Sequence, residues 1–401
     1  MLALELYRSV SRYLAARAVG DRLPGLVAGP LAPIRLVNRD EPSLPAPGWG
    51  HVRPKLSGIC GSDLGTLAGQ VGFYFEPLVS MPFVPGHEVV ADLLEDCGDL
   101  PAGTRVVVDP VLTCAARGVE PCEACASGAT NRCGRITVGG LQPGLQTGFC
   151  ADTGGGWGEV LTAHRSQLHA VPEGYSDEQA VLLEPMACAV HTALRAGIRQ
   201  NDRVLVSGAG SVGLLATLAI RNLTSAGEIT VVAKHGHQRE RAFALGATEV
   251  VAPGEVLRRL RRATGAFLVK PELGSSYLLG GVDVAVDAVG SKQSLETAVN
   301  ATRAGGRVVL SGMPAAADLS AAWFRELEVV GTYSSAQREP ALDGRGAFDV
   351  ATELVAGDAV SSLAKTIAAY PLHRWREALD HAHGAGRLGS VKVAFDPRSK
   401  R

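Results

Sequence analysis

The chain lacks a charge bias. Its 401 residues carry 39 Lys+Arg against 40 Asp+Glu, a formal net charge of −1. A nucleic-acid partner needs a basic face, so this balance argues against one. A membrane span is also missing: the uncharged stretch 204–220 is shorter than the roughly 20 apolar residues a spanning helix needs, and Gly208, Gly210 and Gly213 interrupt it. The N-terminus is a poor signal peptide, because Glu5 and Arg8 fall inside its apolar stretch. Internal repeats and low-complexity tracts are absent as well. These absences leave a globular protein, expected in the cytoplasm, and its length exceeds one ordinary core, so two domains are expected.

Glycine is abundant, at 48 residues, and it frames the most informative pair of motifs, Gly58-Ile59-Cys60-Gly61-Ser62-Asp63 and Pro85-Gly86-His87-Glu88. Together they supply a thiolate, an imidazole and a carboxylate. Catalytic zinc takes three protein ligands from this set and keeps one position open. The flanking glycines let the backbone turn sharply enough for Cys60, His87 and Glu88 to converge.

Of eight cysteines, four crowd into 114–133: Cys114, Cys122, Cys125 and Cys133, separated by seven, two and seven residues. In a large protein of a reducing compartment such clustering reads as metal binding before disulfides. Four thiolates suit a closed, structural zinc site. Cys97 and Cys150 read as ordinary small buried residues.

The first part of the chain is β-rich, with strands expected at 2–7, 34–37, 51–56, 89–94 and 104–108 and a short helix at 9–19 inside an apparent insertion, 8–30. From about residue 185 the pattern changes. Helices at 185–196, 213–222, 239–245 and 295–301 alternate with strands at 203–207, 228–233, 249–251, 282–287 and 307–311. That alternation predicts an α/β fold with a doubly wound parallel sheet. Residues 263–281 read as a long surface connection, and the tail as helices near 348–356 and 372–382 with a strand at 391–395.

The strand at 203–207 runs into Gly208-Ala209-Gly210-Ser211-Val212-Gly213 and then a helix, the context a dinucleotide fingerprint requires. Gly208 permits the turn, Gly210 lets backbone approach a pyrophosphate, and Gly213 lets helix pack on sheet. The free N–H groups of the helix start, including Ser211 and Val212, face the phosphates. NAD selectivity normally rests on an acid at the end of the next strand. Here Ala233 stands there, followed by Lys234 and His235, with Arg239 nearby. A small residue followed by bases admits and neutralises a 2′-phosphate, so NADP is expected over NAD.

With Leu183-Glu184-Pro185 and Asp287-Ala288-Val289-Gly290 added, these motifs resemble the zinc-dependent medium-chain alcohol dehydrogenases from about residue 34 to the C-terminus. Glu184, where simple alcohol dehydrogenases have cysteine, is more similar to the polyol and threonine dehydrogenase branch. The resemblance implies a GroES-like zinc domain at 1–185 and 335–401 and a Rossmann domain at 186–334. It implies a catalytic zinc on Cys60, His87 and Glu88, with Glu184 as a direct or water-bridged fourth group. Ser62 would pass the proton, and Asp63 would orient the ligand imidazole. Val289 and Gly312 would line the cofactor, and Lys392 would stand near its pyrophosphate. The implied activity is hydride exchange between NADP(H) and a secondary alcohol of polyol, sugar or aminocyclitol type, in a homodimer or homotetramer. Aldehyde or ketone reduction at the same site is the alternative, and an NADP-binding redox or metal sensor the non-enzyme one.

The departures are specific. Seven residues, not two, separate Cys114 from Cys122. Gly65 stands where the family often ends its proton relay with histidine, and this is the one feature favouring the sensor. The stretches at 8–30 and 263–281 have no usual counterpart. Tyr74, Phe75 and Trp157 are pocket-lining candidates by position alone.

Overall fold

The computed structural model describes residues 1–19 and 31–399. The chain divides into two compact units, Met1–Glu184 with Ala336–Glu339 and Val355–Arg401, and Pro185–Ser335 with Pro340–Leu354. Of the insertion expected at 8–30, the helix Val10–Val19 is described and 20–30 lie outside the described residues.

The first unit is organised by the strand Trp49–Gly58. It pairs antiparallel with Glu88–Leu93 and with Val393–Phe395, and its start also pairs with Leu161–His164. Arg105–Val108 and Leu168–Ala170 extend the sheet beyond Glu88–Leu93, and Ala368–Tyr370 closes the other edge. Side chains alternate across a strand, so Val89, Ala91, Leu93, Val106 and Val108 share one buried cluster. A second cluster gathers Leu4, Leu6, Phe83, Trp157, Trp375 and Phe395. The registers Gly58↔Glu88 and Ala394↔Gly58 bring three strand ends together.

The second unit holds six parallel strands: Arg203–Ser207, Glu228–Val232, Glu249–Val251, Val282–Asp287, Thr302–Leu310 and Glu328–Gly331. Numbered along the chain, their order across the sheet is 3-2-1-4-5-6, the doubly wound dinucleotide-binding arrangement. Val204, Leu205, Val206, Ala285 and Val286 are buried, the near-continuous apolar run of a sheet covered on both faces.

Three of these strands fall on their sequence-derived bounds. The stretch 263–281 does not read as it folds. The arginine-rich helix Val256–Thr264 ends at Gly265, left-handed at φ 69°, and a hairpin of Phe267–Val269 with Tyr277–Leu279 follows. Strands of three residues are too short to show an alternation. The same brevity hid the helix Ser320–Phe324 and the strands Glu328–Gly331 and Ala368–Tyr370. The last helix, Trp375–Leu388, runs through Gly384 and Gly386 and ends at Gly389, φ 86°.

The glycine loop yields a paired prediction. A Cβ on Gly213 would lie 2.0 Å from the Gly208 carbonyl oxygen, whereas one on Gly210 meets nothing within 4 Å. Gly213→Ala forces helix from strand and is expected to cost about 1–3 kcal/mol. Gly210→Ala is expected to leave stability within about 0.5 kcal/mol while weakening dinucleotide binding. Thermal unfolding and cofactor titration of both variants test this, and equal stabilities would contradict it.

Candidate catalytic and cofactor sites

Cys60 follows the strand Trp49–Gly58 by two residues and stands at the N-cap of the helix Gly61–Leu67. Its N–H donates to Asp63 Oδ2 at 2.9 Å, and the Ile59 N–H donates to the Val393 carbonyl at 2.8 Å. His87 and Glu88 enter at the start of the neighbouring strand. Gly86 reaches this position at φ +97°, and a Cβ there would lie 2.4 Å from Trp157 Cδ1. Ligand atoms of Cys60, His87 and Glu88 consequently lie within 4.8 Å of one another.

Asp63 stands behind the imidazole, with Oδ1 3.4 Å from His87 Nδ1, and both side chains are buried. Burial alone would pull the His87 pKa down. The Asp63 carboxylate and the Cys60 sulfur overcome it and hold the imidazole well above its ordinary range. A divalent cation is the natural answer to that negative surround, so the donor set fits zinc.

Lys392 is placed differently from the expectation. Its ammonium lies 2.6 Å from Glu88 Oε1, with Oε2 also in contact, and both residues are buried. A Cβ on Gly58 would lie 2.0 Å from Glu88 Oε2 and 3.0 Å from Lys392 Cδ, so glycine is required where this pair crosses the strand. The contact that the structure shows for the Lys392 ammonium is the Glu88 carboxylate. Burial opposes the Lys392 charge, but Glu88 and Cys60 raise its pKa.

Glu184 is buried in the first turn of the helix Leu183–Arg195, outside the group of three converging ligands. Its charge acts on Lys392 and on Asp109, a residue the sequence reading missed. Asp109 follows the strand Arg105–Val108, accepts the Val111 N–H at 3.1 Å, and is pushed up to about 7 by burial, with Glu184 adding to it. Ser62 is half-buried in the first turn after Cys60. Trp157 is a correction: it is fully buried and packs edge-on to Phe395 at 5.1 Å, so it belongs to the core and lines no open pocket. Tyr74 is 78% exposed.

The four clustered cysteines also converge, with sulfur atoms within 4.8 Å of one another and Cys114 included. Cys114 Sγ lies 3.7 Å from Cys133 Sγ and accepts the Cys122 N–H at 3.3 Å. Backbone N–H groups of Cys125 and Gly134 pull the Cys122 thiol down to about 6, toward the thiolate a metal binds, whereas burial pushes the Cys125 and Cys133 thiols up. The longer spacing closes around Arg117, which the sequence reading overlooked. Arg117 is 1% exposed and donates to the carbonyls of Val138, Leu141, Gln142 and Gly144 at 2.6–3.3 Å. A lone arginine among small residues was the available signal. Cys97 and Cys150 are buried.

In the second unit Gly208 takes φ +104°, and Gly210 caps the helix Ser211–Leu223, whose first residues are Ser211 and Val212. The open space beside Gly210 suits a phosphate-bearing group. Asp287 Oδ1 accepts the N–H groups of Val289 and Gly290, and the Gly312 N–H donates to the Asp287 carbonyl at 2.8 Å. Ala233 closes the second strand without a carboxylate. Lys234 is exposed, and the rings of His235 and His237 stack at 5.6 Å. The Arg239 guanidinium donates to the Val250 carbonyl at 2.8 Å and covers the Phe243 ring.

No helix among the described residues is long and apolar enough to cross a membrane. Residues 46–173 match the alcohol dehydrogenase GroES-like domain, and residues 211–366 match the zinc-binding dehydrogenase family. L-idonate 5-dehydrogenase of Vitis vinifera is 30% identical over 289 residues, 70% of this chain and 72% of the relative. Sorbitol dehydrogenase of Bacillus subtilis is 28% identical over 282 residues, 68% of this chain and 71% of the relative. The crystal structure of 2R,3R-butanediol dehydrogenase from Bacillus subtilis superposes with a TM-score of 0.67 at 25% identity, covering 91% of this chain and 96% of that one. Fold, clustered ligands and relatives agree: the chain belongs to the zinc-dependent medium-chain alcohol dehydrogenases, as an oxidoreductase of the polyol dehydrogenase type.

Proposed function

We propose that this enzyme exchanges a hydride between NADP(H) and a secondary alcohol or its ketone, of polyol, sugar or aminocyclitol type, as a cytoplasmic homodimer or homotetramer. The observation that carries the reading is the convergence of Cys60, His87 and Glu88 with Asp63 behind the imidazole. These residues would hold a zinc ion, which supplies Lewis acidity to a substrate oxygen when bound. Asp63, whose Oδ1 lies 3.4 Å from His87 Nδ1, would orient the imidazole and leave Nε2 free to coordinate. Ser62, half-buried beside Cys60, takes the hydroxyl proton outward. With Gly65 in place of a histidine, that proton passes to solvent.

Lys392 would hold Glu88 in place and temper its charge. The relatives named for L-idonate and sorbitol support the substrate class. The four-cysteine lobe would hold a second, structural zinc. The outer edge of Glu328–Gly331, which ends the six-stranded sheet, supports self-assembly.

Metal content is the first test. Wild type is expected to carry two zinc ions per chain and Cys60→Ser one, with turnover lost; a wild type that carries only one zinc, with the same content in Cys60→Ser, would sink the reading. A panel of alcohols and ketones, run in both directions, identifies the substrate and the favoured direction.

Cofactor choice is tested at the second strand. Lys234→Ala is expected to raise KM for NADP about tenfold, the loss of one charge-assisted hydrogen bond, and to leave KM for NAD unchanged. Ala233→Asp is expected to reverse the preference. Equal effects on the two cofactors would rule out 2′-phosphate recognition here.

The Glu88–Lys392 pair gives a stability test. Removing one member of a buried ion pair strands the other charge, so in metal-free protein Lys392→Met is expected to cost about 3–5 kcal/mol of stability. Adding Glu88→Gln to that variant is expected to recover part of the loss. Thermal unfolding reads both, and a double variant no more stable than Lys392→Met would contradict the pairing.

A further inference from the structure

Asp287 ends the fourth strand of the six-stranded sheet and is 1% exposed. Its register partner on the first strand is Ser207, the residue before Gly208. Asp287 Oδ1 accepts the N–H groups of Val289 at 3.1 Å and Gly290 at 3.2 Å, which fixes the turn that follows the strand. The turn is packed hard against its neighbours. A Cβ on Gly208 would lie 2.5 Å from Val289 Cγ2, and one on Gly290 2.1 Å from the Met313 carbonyl oxygen. The carboxyl therefore lies at the ends of the first and fourth strands, where the strand order reverses and this fold binds a dinucleotide.

The other oxygen, Oδ2, is buried and has no hydrogen-bond partner among the described residues, and the Ser207 hydroxyl is buried and unpartnered as well. The Ser294 hydroxyl acts on the carboxyl from nearby but donates to the Ser291 carbonyl at 3.0 Å. Burial pushes the Asp287 pKa up, the Val289 and Gly290 N–H groups pull it back, and no cation among the described residues acts on it. A buried carboxylate without a cation is costly. The turn does not call for one, because the amide oxygen of asparagine would accept the same two N–H groups. A positive charge brought by a ligand does call for one. The oxidised nicotinamide ring is such a charge, and it becomes neutral on taking a hydride. The first three strands carry the glycine loop and the position that reads the adenosine ribose, so the fourth to sixth take the nicotinamide half. Asp287 ends the first strand of that half.

We propose that the buried Asp287 carboxylate distinguishes the two redox forms of the cofactor, holding the oxidised dinucleotide more tightly than the reduced one. A secondary alcohol that loses a hydride and a proton becomes a ketone, and the ring charge that Asp287 answers disappears with the hydride. The carboxylate leaves the overall equilibrium of that reaction unchanged. It decides which form the free enzyme captures from a mixed pool. This rests on the dehydrogenase reading and deepens it, by giving the cofactor site a preference between redox forms that is separate from any preference for a 2′-phosphate.

The test uses full-length, zinc-loaded Asp287→Asn and Asp287→Ser. Both remove the charge and keep an acceptor for the turn, and the second serves if the first does not fold. Dissociation constants are measured without substrate for NADP⁺ and NADPH, and for NAD⁺ and NADH. The ratio of the reduced to the oxidised constant is expected to fall about fivefold in both variants, the order of one charge acting through protein. The fall is expected to come chiefly from weaker binding of the oxidised form, and to be the same for both cofactor pairs. Hydrogen exchange over residues 288–291 is expected to stay at the wild-type rate in Asp287→Asn. An unchanged ratio beside normal wild-type turnover would overturn this inference alone. An equal loss for both redox forms would make Asp287 a brace of the turn and overturn it too. A wild type that binds no form of either dinucleotide would overturn both this inference and the dehydrogenase reading.

Discussion

Asp63 and Glu88 set two carboxyl groups, almost wholly removed from water, beside the Cys60 sulfur at one end of a sheet. Such a cluster is costly unless cations answer it. Much of the first unit can be read as that answer. Lys392 is delivered to Glu88 by the last strand of the chain, 304 residues away in sequence. His87 is held between Asp63 and Cys60. A divalent ion on the remaining donor atoms would complete the compensation and supply the chemistry. The register of Trp49–Gly58 with Glu88–Leu93 matters because a slip of one residue would turn Glu88 to the other face of the sheet.

Glycine makes this crowding possible. At Gly58 a side chain would collide with the Glu88 carboxylate, and at Gly86 with the Trp157 ring. The same economy recurs in the second unit, where Gly213 lets a helix rest on the Gly208 carbonyl. In both units a glycine leaves space that a Cβ would fill, for side chains at Gly58 and Gly86 and for backbone at Gly213.

These local rules explain what was legible in the sequence. Ligand types, glycine spacing and strand–loop–helix order are short-range signals, so the metal-binding group, the cysteine lobe and the dinucleotide loop could be read directly. Lys392 could be recognised as important, but its pairing with Glu88 is set by strand pairing across the whole chain and could not be read from the sequence. Trp157 failed as a pocket residue for a similar reason: closeness to a motif in sequence says nothing about which face of the backbone a ring takes. Asp109 was invisible because its role depends on burial, and Arg117 offered only its place among small residues. The hairpin at 267–279 escaped because its strands are too short to carry a period.

The central claim is that Cys60, His87 and Glu88 hold zinc alongside a separate four-thiolate site. X-ray absorption at the zinc edge of the fully loaded protein tests it most directly. The account predicts a mixed average shell, about five sulfur atoms in eight ligands over the two sites, with the rest nitrogen and oxygen. A shell of sulfur alone would mean that zinc occupies only the cysteine lobe, and would contradict the catalytic site argued from these residues.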